Sequence, residues 1–370
     1  MAESPMEGHP DKLADLIADA LLDEFLRKDP YSRVSLEVLL ISGMTFVAGH
    51  VSTEGYVDIP GVVRSVIKEV GYNRPEYGYD ADASAVITSI EEQSADIVLG
   101  ISSDGAGDTA TVVGYACKDT PSYMPLPISL AHNLSQKISQ LRKSGRAPFL
   151  RPDGKVLITV VYEDQNPLFV KDLIVYCQHD PDISLEKLKD FVYEEAIKKV
   201  VPHNLLTKES RVLVNPSGRF VLGGPAADVG QTGRKIVSDA YGDVAYSGGS
   251  AFSGKDPTKT DRTASYMARL MAKHVVASGL ADRCMVQMAY AFGLSEVIAF
   301  DIETYGTEKV EREKIKARLL EVFTTNPRQM IEFLDLRKPI YKQTACYGHF
   351  GKENLPWEKL TKLEEFLDLQ

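Results

Sequence analysis

The sequence predicts an α+β protein made of three related two-layer units, each with helices laid on a mixed sheet. Two observations carry this expectation. A pattern of helix, two β-rich runs and a second helix occurs three times, starting near residues 11, 129 and 259, at offsets of 118 and 130 residues. At 370 residues the chain is also long enough for two or three domains with a sizeable core. Helices cover one face of each sheet, so the other face has to be buried against a neighbouring unit or a second subunit.

In the first unit, EGHPDKLADLIADALLDEFLRKDP (7–30) reads as a helix with Pro10 in its first turn and an end before Pro30. Leu13, Leu16, Ile17, Ala20 and Leu21 form its apolar face. Asp11, Asp15, Asp19 and Asp23 recur every four residues on the opposite side, the pattern of a solvated face. Runs 33–41 and 44–53 make a hairpin through Ser42-Gly43, followed by a helix over 58–70 closed by Gly71 and a strand over 83–90. The second unit repeats the order with a helix over 128–143, strands 156–163 and 168–178, a helix 184–200 and a strand near Val212. The third has a helix after Asp261 closed by Gly279, strands 285–292 and 297–304, and a helix 310–323.

Composition narrows the function. With 52 acidic against 42 basic residues the net charge is -10, which argues against a nucleic-acid binder, so an anionic ligand has to be held by local cations. Cys117, Cys177, Cys284 and Cys346 are far apart and make no metal spacing; reduced, buried thiols and a cytoplasmic setting are expected. No signal-like N-terminus and no run of about 18 apolar residues is present, so no membrane association is expected.

The stretch GGSAFSGKDPTKTDR (248–262) concentrates the polar chemistry. Its glycines suit a backbone cradle for phosphate, and Lys255 and Lys259, four apart on the start of a helix, would converge on one polyanion. Asp256 stands where a P-loop needs Ser or Thr, and no clear strand enters the glycines, which excludes a standard P-loop and weakens a kinase-like reading. GAGDTA (105–110) presents Asp108. LRPDGK (150–155) reads as a glycine turn carrying Asp153 and Lys155. GRFVLGGPAADVGQTGRK (218–235) carries Arg219, Asp228, Arg234 and Lys235. Clustered cations, a loop histidine (His9) and carboxylates able to hold Mg²⁺ are what a triphosphate needs.

EGHPDK (7–12), GAGD (105–108), LRPDGK (150–155), GRFVLGGP (218–225), TGRK (232–235), GGSAFSGKDPTKTDR, GLADRC (279–284) and YGHFGKENLPWEK (347–359) closely resemble the motifs of the S-adenosylmethionine synthetase (methionine adenosyltransferase) family. The resemblance covers nearly the whole chain. It implies three similar α+β domains about a pseudo-threefold axis, over 1–98, 108–222 and 223–362, with exchanged segments. It also implies joining of ATP and L-methionine to S-adenosylmethionine, followed by hydrolysis of triphosphate to phosphate and diphosphate, with two Mg²⁺ per site and K⁺. By resemblance His9 sits at the C5′–O5′ bond, Asp11 and Asp261 bind Mg²⁺, and Glu37 binds K⁺. Lys155, Arg234, Lys235 and Lys255 hold phosphates, with Asp153, Arg219, Phe220 and Ala251 on the ATP side. Gln93 and Lys259 contact methionine, Asp228 touches both substrates, and Asp108 lies in an active-site motif without an assigned role. Sites shared in a homodimer, or a dimer of dimers, are implied.

Three departures from the family pattern carry expectations. The chain begins almost at the EGHPDK motif, so one sheet would lack an edge strand. The loop after Gln93 is short. His50 stands where the family has a glutamate for the methionine ammonium, which predicts looser methionine binding and a lower methionine KM for His50→Glu. The alternative to a working synthetase is a paralogue that binds ATP or S-adenosylmethionine without turnover.

Overall fold

A computed structural model gives the fold and describes residues 1–92 and 105–369. In chain order the elements begin with β1 (Ala2–Pro5), α1 (Pro10–Lys28), β2 (Arg33–Ile41), β3 (Met44–Ser52), α2 (Ile59–Val70) and β4 (Ala85–Glu91). There follow β5 (Ala110–Cys117), α3 (Leu126–Lys143), β6 (Leu150–Glu163), β7 (Asn166–His179), α4 (Leu185–Val192) and β8 (Arg211–Val214). The last third holds β9 (Gly230–Gln231), α5 (Ile236–Asp239), α6 (Thr260–Ala277), β10 (Arg283–Tyr290), β11 (Ala299–Glu303), α7 (Arg312–Val322) and α8 (Pro327–Phe333).

Three sheets result, ordered β4-β3-β2-β9, β1-β6-β7-β8 and β11-β10-β5. The first two are mixed, because β3 and β4, and β7 and β8, run parallel while their other pairs are antiparallel. Each sheet takes an edge strand from a distant part of the chain: β9 joins β2, β1 joins β6 and β5 joins β10. The architecture is α+β, with one apolar core joining α1, α2 and α6 to the first and third sheets and another filling the space between the second sheet, α3 and α4. Gly114 in β5 lets α6 lie directly on the strand, since a side-chain carbon there would fall 1.9 Å from the Ala268 carbonyl carbon.

Three sequence expectations are corrected. The short N-terminus does form an edge strand, because four residues are enough to pair Ala2 with Ile158 through Pro5 with Lys155. LRPDGK is the start of β6, not a turn; its register against β7 shifts between Leu150 and Gly154, and that irregularity accommodates Pro152 within a strand.

The aspartate row of α1 is buried rather than solvated. Each carboxylate accepts backbone N–H groups from a distant part of the chain, Asp11 and Asp15 from one stretch and the others from two more: Asp11 from Gln231 (3.0 Å), Asp15 from Gly233 (2.8 Å), Asp19 from Gly254 (2.9 Å), and Asp23 from Tyr341 and Lys342 (both 2.9 Å). Cations neutralise three of them: Lys235 on Asp11, Lys12 on Asp15 and Arg262 on Asp19. Asp23 faces N–H groups only, and burial pushes its carboxyl up to about 6. Helical periodicity marks a polar face without saying whether water or another layer of protein meets it.

The Asp19–Arg262 pair is bidentate, at 2.7 and 2.8 Å, and neither side chain is more than 1% exposed. Removing one member strands the other charge, at a cost of about 3–5 kcal/mol. Asp19→Ala is therefore expected to lower the denaturation midpoint more than the double change Asp19→Ala with Arg262→Met, as read by thermal or urea unfolding.

Candidate active site

The polar residues singled out in the sequence fall into two sets. The first gathers at the start of α1. His9 caps the helix, its Nδ1 accepting the Asp11 N–H at 3.2 Å. Lys235 Nζ lies 2.9 Å from Asp11 Oδ2 and Arg234 Nη1 lies 3.5 Å from Asp11 Oδ1. Burial opposes ionisation of Asp11, but the hydrogen bonds from Lys235 and from the Gln231 N–H, with the Lys235 charge, hold its carboxyl below the ordinary range. Burial, then the charge of Lys235, and further those of Lys155 and Lys12, lower the His9 imidazole to about 4 against a weaker opposite pull from Asp11. His9 is thus neutral at pH 7, and with Nδ1 accepting, Nε2 carries the proton.

The strand β6 brings LRPDGK against this turn. Gly8 packs so closely on Pro152 that an added carbon would lie 2.4 Å from its backbone, and Met6 N–H bonds the Gly154 carbonyl at 2.8 Å. Lys155 Nζ sits 3.2 Å from Glu3. Asp153 is buried and accepts the Gly224 N–H at 2.7 Å; burial lifts its carboxyl to about 6, with the nearby charge of Asp228 adding to the shift. Around Gly223 the Phe220 ring and Asp153 come together, while Arg219 and Asp228 stay exposed on the same loop.

The second set surrounds the start of α6. Lys255 Nζ is 2.6 Å from Asp261 Oδ2, and Asp108 is held beside Asp261 by Gly107 N–H on the Thr258 carbonyl and by Thr260 Oγ1 on its own carbonyl. Burial, then the Asp261 charge, raise the Asp108 carboxyl. The expected convergence of Lys255 and Lys259 does not occur. The helix begins at Thr260, so the two lysines precede it, and Lys259 Nζ turns inward to Asp256 Oδ2 at 2.5 Å. Asp256 also accepts Val34 N–H at 2.7 Å and Thr258 N–H at 2.8 Å, so the residue that breaks the P-loop pattern fastens this loop to β2.

Ala251 packs on Gly233, where φ is +80°. Glu37 is exposed on β2 and His50 on β3. Gln93 and the loop after it lie outside the described residues. Among the described residues no three or more His, Cys, Asp or Glu side chains group as a metal cluster. Asp261 Oδ1, however, is buried and takes no hydrogen bond from a donor, with the Asp108 carboxyl beside it. No helix among the described residues is long and apolar enough to cross a membrane.

Family models for S-adenosylmethionine synthetase match the chain almost throughout: the N-terminal domain over 1–95, the central domain over 103–220 and the C-terminal domain over 222–359. The chain belongs to the S-adenosylmethionine synthetase family. Similar curated proteins, each named S-adenosylmethionine synthase, come from Aquifex aeolicus (63% identical, covering 100% of this chain and 98% of the relative) and Thermus thermophilus (49%, 98% and 96%). Another is from Clostridium tetani (47%, 100% and 98%).

Several residues that hold the synthetase-family motifs in place were not singled out from sequence. Tyr72 is fully buried; its hydroxyl donates to the Gly8 carbonyl at 2.6 Å and abuts Gly224, joining the His9 turn to the Asp153 loop. Arg151 and Gln178 both bond the Val221 carbonyl. A lone tyrosine after a helix-closing glycine carries no signal of such a role. Gly8→Ala is expected to force the His9 turn off Pro152 and cut turnover at least tenfold (on the order of 10²-fold for a 1 Å displacement). Steady-state rates, with circular dichroism to confirm the fold, check this.

Proposed function

We propose that this chain catalyses the adenosyl transfer of its family: ATP and L-methionine give S-adenosylmethionine, and the triphosphate is then hydrolysed to phosphate and diphosphate. The observation that carries the reading is the first set, in which Lys155 and Lys235 lie near a neutral His9 and Arg234 joins Lys235 on the adjoining Asp11. The methionine sulfur attacks C5′ of the ribose, the C5′–O5′ pair leaves with the triphosphate, and the sulfur becomes a sulfonium. No enzyme nucleophile takes part, so the work of the protein is alignment and the stabilisation of departing negative charge. His9 donates its Nε2–H to the leaving oxygen. Burial and the nearby lysines keep it neutral in the free protein, and Lys155 and Lys235 are themselves neutralised by the triphosphate.

Lys155, Arg234, Lys235 and Lys255 hold phosphates, and Asp153, Arg219, Phe220 and Ala251 frame the nucleotide. Asp228 lies between the substrates, while Gln93 and Lys259 belong to the methionine side, Lys259 by shaping the loop it shares with Asp256. Asp11 and Asp261 would hold Mg²⁺ and Glu37 would hold K⁺; the unpartnered Asp261 oxygen supports the part given to Asp261, and Mg²⁺ needs only one or two protein carboxylates beside phosphate oxygens. Once bound, the divalent ions neutralise triphosphate oxygens.

The two sets are each paired internally, and α1 spaces Asp11 and Asp19 by two turns, about 12 Å. This supports a homodimer whose sites take one set from each copy, alone or as a dimer of dimers. Four buried free thiols and the net charge of -10 favour a cytoplasmic protein without nucleic-acid partners. The domains run over 1–98, 108–222 and 223–362 and exchange edge strands, a division that the three matched segments support.

Incubation with ATP, L-methionine, Mg²⁺ and K⁺ should yield S-adenosylmethionine with equal phosphate and diphosphate by mass spectrometry and phosphorus NMR. Nucleotide binding without a sulfonium product would favour the silent paralogue. Replacing His9 by Ala should lower kcat by about 10²–10³-fold, and by Asn less, since Asn keeps an N–H donor. With His9 neutral above about pH 4, kcat/KM should show no His9 limb between pH 6 and 9.

A further inference from the structure

Strand register places a carboxylate in line with Lys255 across the first sheet. Lys255 forms an isolated bridge with Ser35 of β2, Ser35 pairs with His50 of β3, and His50 pairs with Glu91 of β4. These four residues lie side by side in one row, with neighbouring backbones about 4.8 Å apart, so Glu91 stands about 14 Å across the sheet from Lys255. Register partners point to the same face. That face is the one turned away from the helices: Val34, Leu36, Val47 and Val51 are buried on the other side and Ile90 packs on the core, whereas His50 and Glu91 are exposed.

A methionine whose sulfur reaches C5′ extends its α-ammonium away from the phosphates, and an ammonium is held best by a carboxylate. The imidazole of His50 is a poor partner, because it offers a neutral ring or a like charge. Glu37 shares the face, but it sits two residues along β2 from Ser35, off the row. We infer that Glu91, one strand beyond His50, supplies the carboxylate that holds the α-ammonium of methionine. This rests on the synthetase reading above and replaces the expectation of loose methionine binding. It also reverses the expectation for His50→Glu, which would set two carboxylates directly opposite each other and gain nothing.

The test measures initial rates with methionine and with its 2-hydroxy analogue, which lacks the ammonium. Glu91→Gln should raise the methionine KM by about ten- to a hundredfold, the worth of a charge-assisted hydrogen bond. The ATP KM should stay put, and preference for methionine over the hydroxy analogue should fall by the same factor. Adding His50→Glu to Glu91→Gln should restore part of that preference. An active protein whose preference is unchanged by Glu91→Gln overturns the role of Glu91 alone. So does a His50→Gln variant that reproduces the full loss, because Glu91 would then act through the imidazole. A wild-type protein that forms no sulfonium product overturns the synthetase reading and this inference with it.

Discussion

The buried pair of Arg262 and Asp19 fixes the middle of this molecule. Besides its two bonds to Asp19, the guanidinium donates to the carbonyls of Phe252 and Lys255, to Thr344 Oγ1 and to the Tyr266 hydroxyl. One side chain therefore ties α1, α6, the glycine-rich loop and the C-terminal segment together. Charges taken out of water cost several kcal/mol each, and such a pair is tolerable only when the remaining donors are also met, as they are here. The position of Lys255 follows directly, because its own carbonyl is one of the groups that Arg262 holds.

The same device repeats along α1. The four aspartates take the backbone of three distant segments, so the helix acts as a ruler that sets the 231–235 loop, held by both Asp11 and Asp15, then the glycine-rich loop, held by Asp19, and the 341–342 segment, held by Asp23. An apolar contact would allow these loops to slide, whereas a carboxylate meeting a particular N–H does not. The backbones that carry Lys235 and Lys255 are consequently anchored to α1 before any ligand arrives, which serves alignment-driven catalysis.

Local order was legible in the sequence because it depends on local period. The helix over 7–30, the hairpin around Gly43 and the long helix after Asp261 follow from spacing and end signals, and the family was legible in motifs that sit on turns. What depends on contacts between distant segments was not. Nothing in AESP or in Gly230-Gln231 marks an edge strand, since these segments borrow their order from β6 and β2. The aspartate row was misread because a polar stripe looks the same whether water or N–H groups face it. Lys255 and Lys259 looked like a helical pair because the helix was read as reaching back to both, whereas it begins at Thr260 and Asp256 draws Lys259 inward instead. The place of Glu91 beside His50 is a matter of register between parallel strands joined by a long connection, which spacing cannot give.

In the proposed dimer the His9 set of one copy works with the Lys255 set of another. Co-assembly of two inactive variants, His9→Ala and Lys255→Ala, tests it most directly. If the sites are shared, each mixed dimer holds one intact site and activity returns on mixing. If each chain builds its own site, every site keeps a defect and the mixture stays as inactive as its parts.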